Sequence, residues 1–385
     1  MEISFKVNDI IQQLRQVSSV VAPKSSLLIL ENVIWKKVNN ELSFVASDSE
    51  TWITVGNVPM TSYDTNESFE ICLNAKDTLS VLQNLSGEEV ELNVNIEKKV
   101  VNGRYGRKGT FMLPFSEVDE FPRPKEITDW KKVSVPTSMM TECIQSVVFS
   151  VANDELRPVM NTIHFDFTER DVISVASDGR KLARFTRLGV SSPAISGKSF
   201  NLPNKPATLL SRVITSNQDT ETLDIYTDDA SAVKFKIGDN IINTRLIDAR
   251  FPNYNMVIPQ DNDKDFVVAK DDVLGILKRI LPLGDAGTEC VILHYNVGTQ
   301  EILFSTEDID WSKSASEAAE CDTDVREDIV IGFKGSELIN VIQNVPSDKI
   351  RIKIKDKTHA ALIVPAVENP NFDYTSILMP MLINQ

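Results

Sequence analysis

Met160-Asn161-Thr162-Ile163, followed by Val175-Ala176-Ser177-Asp178, closely repeats an earlier pair of segments, Glu31-Asn32-Val33-Ile34 and Val45-Ala46-Ser47-Asp48. Asn32 and Asn161 are 129 positions apart, and Asp48 and Asp178 are 130 apart. A third, more worn copy reads Cys290-Val291-Ile292-Leu293 and Phe304-Ser305-Thr306-Glu307, which sets Glu307 another 129 positions on. Lys76, Lys205 and Lys334 keep the same step, each after a short apolar run and each ahead of a helical pattern. An aromatic-proline turn is the last shared mark: Glu120-Phe121-Pro122, Arg250-Phe251-Pro252-Asn253-Tyr254 and Asn369-Pro370-Asn371-Phe372-Asp373-Tyr374. A period of about 20 to 50 residues would mean a stacked solenoid, whereas one near 130 is the size of a whole domain. The 385-residue chain therefore reads as three similar units, placed at 1–127, 128–260 and 261–385.

Each unit carries two helical patterns. Ile10, Ile11, Leu14, Val17, Val20 and Val21 recur at spacings of three and four over Asn8 to Val21, with Asn8 or Asp9 available as cap; Thr137 to Ala152 and Asp271 to Leu281 are the counterparts. A second helix follows each repeat lysine, over Ala75 to Leu85, Lys205 to Ile214 and Gly335 to Val345. The remainder alternates apolar and polar residues between turn signals, as in Ile34 to Val38, Leu42 to Ala46, Thr51 to Val55, Val90 to Ile96 and Ile350 to Ile354. Two helices and about eight short antiparallel strands per unit make the fold class α+β, with each half-unit a helix followed by strands. Linkers are expected where proline and charge gather, at Pro122-Arg123-Pro124-Lys125-Glu126 and at Pro259 to Asp265.

Composition narrows the functional classes. Hydrophobic residues make up 42% and charged residues 25%, the balance of a folded globular chain. No run approaches the roughly 18 apolar residues of a membrane helix, and the start, Met1-Glu2-Ile3-Ser4-Phe5-Lys6-Val7, alternates like a strand rather than a signal peptide, so no membrane partner is expected. Cys72, Cys143, Cys290 and Cys321 are too scattered for a zinc site or disulfide framework and read as buried reduced thiols, which points to a cytoplasmic protein. His164, His294 and His359 are equally scattered, so neither a metal nor another cofactor is expected. A net charge of −15 argues against a generally basic nucleic-acid binder, but it leaves open how charge divides between an inner and an outer face.

On this triplicated background several segments resemble the bacterial DNA polymerase III beta subunit, the sliding-clamp family. They are Ala176-Ser177-Asp178-Gly179-Arg180-Lys181-Leu182-Ala183, Asp248-Ala249-Arg250-Phe251-Pro252-Asn253-Tyr254 and Leu378-Met379-Pro380-Met381. Their order, the length and the three-unit layout extend the resemblance over the whole chain. It implies three repeated clamp domains, each with two helices packed on antiparallel sheets. It also implies a head-to-tail homodimer that closes a ring of six domains around duplex DNA, with no catalytic site. Such a ring holds DNA by enclosure, so a weak and sequence-blind attraction to phosphates suffices.

The resemblance further implies a hydrophobic cleft between the second and third units for short peptides of DNA polymerase, clamp loader and repair proteins. The matching positions are Arg157, Met160, Ser177, Gly179, Arg180, Lys181, Leu182, Pro259, Ile377, Met379, Pro380 and Met381. Methionine suits a promiscuous pocket, Leu182 and Pro259 supply apolar walls, and Arg180 and Lys181 are placed to meet acidic or polar parts of a peptide. Read as plain structure, Met379 and Met381 are edge-strand core and Asp178-Gly179 is a hairpin turn. Family position points to Phe111 against Leu281 or Leu283 for the dimer contact. Lys24, Lys76, Lys205, Arg212, Lys278 and Lys334 are candidates to face DNA; the other reading makes them ordinary solvated charges at helix starts and turns. The chain departs from the family at Arg180, where a histidine is usual, at Leu382, where an arginine is usual, and at Lys334 and Glu337, where Asn and Tyr are common at the cleft rim.

Two other functional classes compete with this reading. Gly103-Arg104-Tyr105-Gly106-Arg107-Lys108-Gly109 has the glycines of a phosphate loop, but not the Lys-Ser/Thr ending or the helix after it. The acids Glu307, Asp308 and Asp310 have no base nearby in sequence, so catalysis is not expected. A three-domain peptide-binding adaptor without a ring is the remaining alternative.

Overall fold

Residues 1–22, 24–63, 67–124, 131–154, 156–190, 196–227 and 231–383 are described by a computed structural model. Six times over, a strand leads into a helix and three further strands follow. The first copy is β1 (Glu2–Lys6), α1 (Val7–Ser18), β2 (Asn32–Val38), β3 (Glu41–Ser47) and β4 (Thr51–Val58), with the two-residue β5 (Ser62–Tyr63) appended. The second is β6 (Phe69–Asn74), α2 (Ala75–Leu82), β7 (Glu89–Asn95), β8 (Val100–Tyr105) and β9 (Gly109–Ser116). Then come β10 (Lys131–Pro136), α3 (Thr137–Gln145), β11 (Thr162–Phe167), β12 (Val172–Ser177) and β13 (Lys181–Arg187). The fourth copy is β14 (Lys198–Pro203), α4 (Asn204–Ser216), β15 (Thr222–Thr227), β16 (Ala232–Ile237) and β17 (Asn240–Arg245). The fifth is β18 (Lys264–Ala269), α5 (Lys270–Ile280), β19 (Cys290–Asn296), β20 (Glu301–Asp308) and β21 (Lys313–Glu320). The sixth is β22 (Ile329–Lys334), α6 (Gly335–Gln343), β23 (Lys349–Ile354), β24 (Ala361–Pro365) and β25 (Phe372–Leu378).

Every strand pairing among the described residues is antiparallel, and the pairings decide the domain architecture. By contact the chain divides into two compact units, Met1–Ser138 with Lys205–Leu246, and Met139–Asn204 with Ile247–Gln385. In the first unit β17 of the middle repeat pairs with β4 of the first, from Ile241 opposite Thr54 to Thr244 opposite Thr51. That seam helps to build a 13-stranded sheet. In the second unit β13 pairs with β25 of the last repeat along its whole length, from Lys181 opposite Leu378 to Arg187 opposite Phe372, within an 8-stranded sheet. A separate 4-stranded sheet runs β21-β20-β19-β22. The middle repeat is thus shared out: half of its strands extend one neighbour's sheet and half the other's.

The helices form where an apolar stripe has a sheet to cover. On α1, Ile10, Leu14 and Val17 sit at helical spacing and are fully buried, while Gln12 and Arg15 face solvent. The expected cap is corrected here. The helix begins one residue earlier than the pattern suggested, straight off β1, and Lys6 at the cap position offers no side-chain bond. Asn8 instead accepts hydrogen bonds from the Ser86 hydroxyl and the Gly87 amide, which ties the helix start to the loop before β7. The helix expected over Thr137 to Ala152 stops at Gln145 and gives way to a 3-10 turn, Val148–Ser150. Ser146-Val147-Val148 is a poor helical sequence, because β-branched side chains lose rotamer freedom against the preceding turn.

Two other expectations also change. Phe121 and Phe251 both lie buried beyond the last strand of their repeats, but Phe372 opens β25 itself, so the third aromatic-proline turn is not in register with the other two. Cys72 and Cys143 are buried, and burial pushes each thiol up to about 12; Cys290 and Cys321 are only half-buried. Gly103 to Gly109 is the β8–β9 hairpin, with no helix after it. Of the linkers, Pro122-Arg123-Pro124 is described, but Lys125, Glu126 and the expected boundary at 127 lie outside the described residues. No helix among those residues is long and apolar enough to cross a membrane.

Candidate functional site

An apolar floor lies in the second compact unit, assembled from four separate stretches of chain. Val175 on β12, Leu182 on β13, Phe251, Ile258, Ala360 and Ile377 on β25 form one buried cluster, against which Val159, Ile173, Tyr254 and Leu362 pack. Two 3-10 turns border it, Pro158–Asn161 and Tyr254–Met256. These turns, with their flanks, and the end of β25 carry large apolar side chains that solvent reaches: Leu156 is 91% exposed, Met256 81% and Met379 43%, with Val257 exposed as well. Scattered exposed apolar residues are ordinary, but a group bordering one buried cluster is the signature of a surface that takes a partner.

One rim is the β12–β13 turn. Asp178 accepts hydrogen bonds from the amides of Arg180 (2.8 Å) and Lys181 (2.9 Å), and Gly179 holds φ at +91°, a conformation that a side chain would strain. The Ser177 hydroxyl donates to the Lys181 carbonyl (2.9 Å) and accepts from the Gly179 amide (3.1 Å). Ser177 therefore shapes the turn and has its hydroxyl engaged within it. Lys181, expected to reach toward a peptide, is only 8% exposed. Its ammonium sits 2.5 Å from the Asp178 carboxylate and 3.8 Å from that of Glu337 on α6.

The C-terminal segment continues the rim beside this turn by backbone pairing. The Met379 amide donates to the Arg180 carbonyl (2.8 Å), and the Met381 amide donates to the Gly332 carbonyl on β22 (2.7 Å). Gly332 allows that approach, since a Cβ there would stand 3.0 Å from Ile383 and 3.4 Å from the Met381 carbonyl oxygen. Leu382 beyond it is exposed, and Asn384 and Gln385 lie outside the described residues.

Strand pairing and the two turns bring the sequence candidates together, in unequal roles. Met379, Pro380 and Met381 stay accessible, as do Gly179, Arg180, Arg157 and Pro259. Arg157 pairs with Asp154 at 2.8 Å, and its guanidinium approaches the Gly179 turn. Met160, Leu182 and Ile377 are buried, so they are the floor rather than a contact surface. Leu156, Met256 and Val257 were missed by sequence reasoning. A run of apolar residues flanking the Pro252-Asn253 turn was the available signal for the last two.

His164 supports the floor from β11. Its ring stacks on Phe251 at 4.8 Å, and its Nδ1 lies 2.9 Å from Asn201 Oδ1. The Asn201 amide nitrogen donates to the carbonyls of Ile247 and Ala249, which fixes the amide and leaves its oxygen to accept, so the neutral ring carries its proton on Nδ1. Burial holds the imidazole below its ordinary 6.5, with the Asn201 hydrogen bond and the Asp166 charge opposing only in part. The unfolded chain then binds the extra proton more readily, so this contribution to stability is complete above pH 6.5 and is lost as pH falls through the lower folded value. Thermal melts from pH 7.5 to 5.5 are expected to show a fall that is smaller in His164→Gln; equal slopes would refute the assignment.

The remaining candidates divide by environment. Lys24, Lys76 at the start of α2, Arg212 on α4 and Lys278 on α5 are exposed. Lys205 is engaged, donating to the Val20 carbonyl (3.0 Å) and to Asp48 (2.6 Å), and Lys334 lies 3.8 Å from the Glu289 carboxylate. Phe111 on β9 packs its ring against the Gly103 backbone and is half-buried, Leu281 leans on Gly335, and Leu283 is exposed.

Comparison with known proteins covers the chain end to end. Residues 1–125, 134–253 and 255–382 match the N-terminal, central and C-terminal domains of the DNA polymerase III beta subunit. The beta sliding clamp of Treponema pallidum is 25% identical over 393 residues, covering 99% of both chains. That of Bacillus subtilis is 23% identical over 371 residues, covering 94% of this chain and 95% of its own. Among solved structures, a sliding clamp from Pseudomonas aeruginosa bound to griselimycin superposes with a TM-score of 0.89 at 21% identity, covering all of both chains. The clamp from Bacillus subtilis does so at 0.88 and 21%, again over both whole chains.

Proposed function

This chain belongs to the DNA polymerase III beta subunit family, and from that premise we infer which of its surfaces do a clamp's work. The protein is a sliding clamp: a non-enzymatic processivity factor that forms a head-to-tail ring around duplex DNA and tethers replication and repair proteins through peptide motifs. We propose that its three domains span 1–127, 128–260 and 261–385 and that it works in the cytoplasm.

One observation carries the ring. The fourth strand of the first repeat, β4, is paired by the last strand of the second, β17, and β13 is paired in the same way by β25. The equivalent strand of the third repeat, β21, ends its sheet with no strand on its outer side among the described residues. The equivalent last strand of the first repeat, β9, pairs with β8 and meets β6 only at Phe115 and Ser116. Each subunit so keeps one open edge of each kind, and two copies joined β9 to β21 satisfy both. A heterologous contact of this type must close or it grows a filament, and six similar domains close it. Phe111 and Met112 on β9, with Leu281 and Leu283 beside β21, lie where such a seam needs apolar cover.

Lys24, Lys76, Arg212 and Lys278 are assigned to the DNA side, with Lys205 and Lys334 contributing less because Asp48 and Glu289 already offset them. This modest total suits sliding, since tight phosphate contacts would brake it. The groove lined by Met379, Pro380, Met381, Arg157, Gly179, Arg180, Pro259, Met256 and Val257, over the floor of Leu182, Ile377 and Met160, is assigned to partner peptides. To test enclosure, the protein is loaded on nicked circular DNA and the DNA is then linearised. Release on linearisation is the expected outcome, and retention on the linear form would mean direct binding instead.

A further inference from the structure

The peptide groove assigned above contains a charge arrangement that nothing in its apolar lining requires. Lys181 is buried at the base of one rim and shares its single positive charge between Asp178, at 2.5 Å, and Glu337, at 3.8 Å. One cation against two carboxylates leaves a net negative charge at this point. The other charged groups of the rims do not cancel it in place. Arg157 is matched by Asp154 and Lys334 by Glu289, and Arg180 is exposed to water, which screens its charge. Glu337 stands in the first turn of α6, which packs on β25, and it reaches Lys181, whose strand partner Leu378 immediately precedes Met379. The carboxylate that lacks full compensation therefore lies toward the Met379 end of the β13–β25 pairing.

We propose that Glu337 sets the partner preference of this groove, selecting extended apolar peptides that bring a lysine or arginine to the Met379 end and disfavouring those that bring an acid there. The preference rests on the peptide reading of the groove. Its physical basis is simple. A cation arriving beside Glu337 completes a two-plus, two-minus cluster that is partly shielded from water, while an incoming carboxylate would make three negative charges around one lysine. Replacing Glu337 by glutamine leaves Lys181 with Asp178, a neutral pair at 2.5 Å, so the buried lysine keeps a partner and the fold is not put at risk.

The test uses three fluorescein-labelled decapeptides that share one leucine- and phenylalanine-containing run and differ only at one terminal position, which is Lys, Gln or Asp. Fluorescence anisotropy gives the ratio of dissociation constants, Asp peptide over Lys peptide. At low salt the unaltered clamp is expected to favour the Lys peptide by roughly threefold to tenfold, with the ratio shrinking as salt rises. In Glu337→Gln the ratio falls to about one. In the control Glu327→Gln, whose carboxylate pairs with Lys264, it stays at the unaltered value. A ratio near one in the unaltered clamp, or a Glu337→Gln ratio that does not move, overturns the preference while leaving the groove assignment standing. Failure of all three peptides to bind a clamp that still encloses circular DNA overturns the groove assignment itself.

Discussion

A clamp carrying Met112→Asp and Leu283→Asp is expected to elute from a sizing column at the 43.0 kDa of one chain, and to be lost from nicked circular DNA that retains the unaltered ring. Both side chains are exposed in the single subunit, Met112 at 64% and Leu283 at 42%, so neither change disturbs a core that must form before assembly. In the proposed ring both positions fall at the β9–β21 seam. Two carboxylates enclosed there without partners cost several kcal/mol each in desolvation. A closed dimer has two such seams, so the penalty is incurred twice while the benefit of closure vanishes. Melting temperature of the monomeric variant separates loss of assembly from loss of fold. A dimer of unaltered stability in the variant would place the seam elsewhere.

Met379→Ala with Met381→Ala is expected to lower affinity for partner peptides by tens to hundreds of fold. Each truncation removes a flexible apolar side chain at the mouth of the groove, and anchors of this kind contribute about 1 to 2 kcal/mol each. The backbone bonds from Met379 to Arg180 and from Met381 to Gly332 survive in the variant, so the rim stays in place and only its side chains go. Loading on circular DNA should be unaffected, because enclosure does not use this groove. Peptide affinity within twofold of the unaltered protein would assign the methionines to the edge-strand role that sequence alone also allowed.

The architecture was readable in the sequence because it is written three times over. Agreement of Lys76, Lys205 and Lys334 across equal steps told more than any single propensity, and the half-unit of helix then strands followed from the alternation around each lysine. Failures came where local chemistry and tertiary pairing diverge. Phe372 shares a proline-aromatic neighbourhood with Phe121 and Phe251, yet it begins a strand that β13 has claimed. The α3 pattern ran on through apolar residues that serve a turn and an extended link, where the Ala152 amide bonds the Met160 carbonyl. At the site, residue types pointed to the right stretch of chain but not to which face each would take. Lys181 looks like a solvent-seeking cation in sequence; its burial rests on Asp178 in its own turn and on the approach of Glu337 from another repeat, which the sequence does not show.

Because the middle repeat lends β17 to one sheet and β13 to another, its strands are divided between two hosts. Cutting the chain at its sequence boundaries would strand raw sheet edges on all three pieces, and the central piece, cut off from both hosts, would be the most prone to aggregate. Duplication here has therefore produced repeats that share sheets rather than three beads on a string. When the hoop must part to admit DNA, the inexpensive place to part it is the joint that no peptide bond crosses.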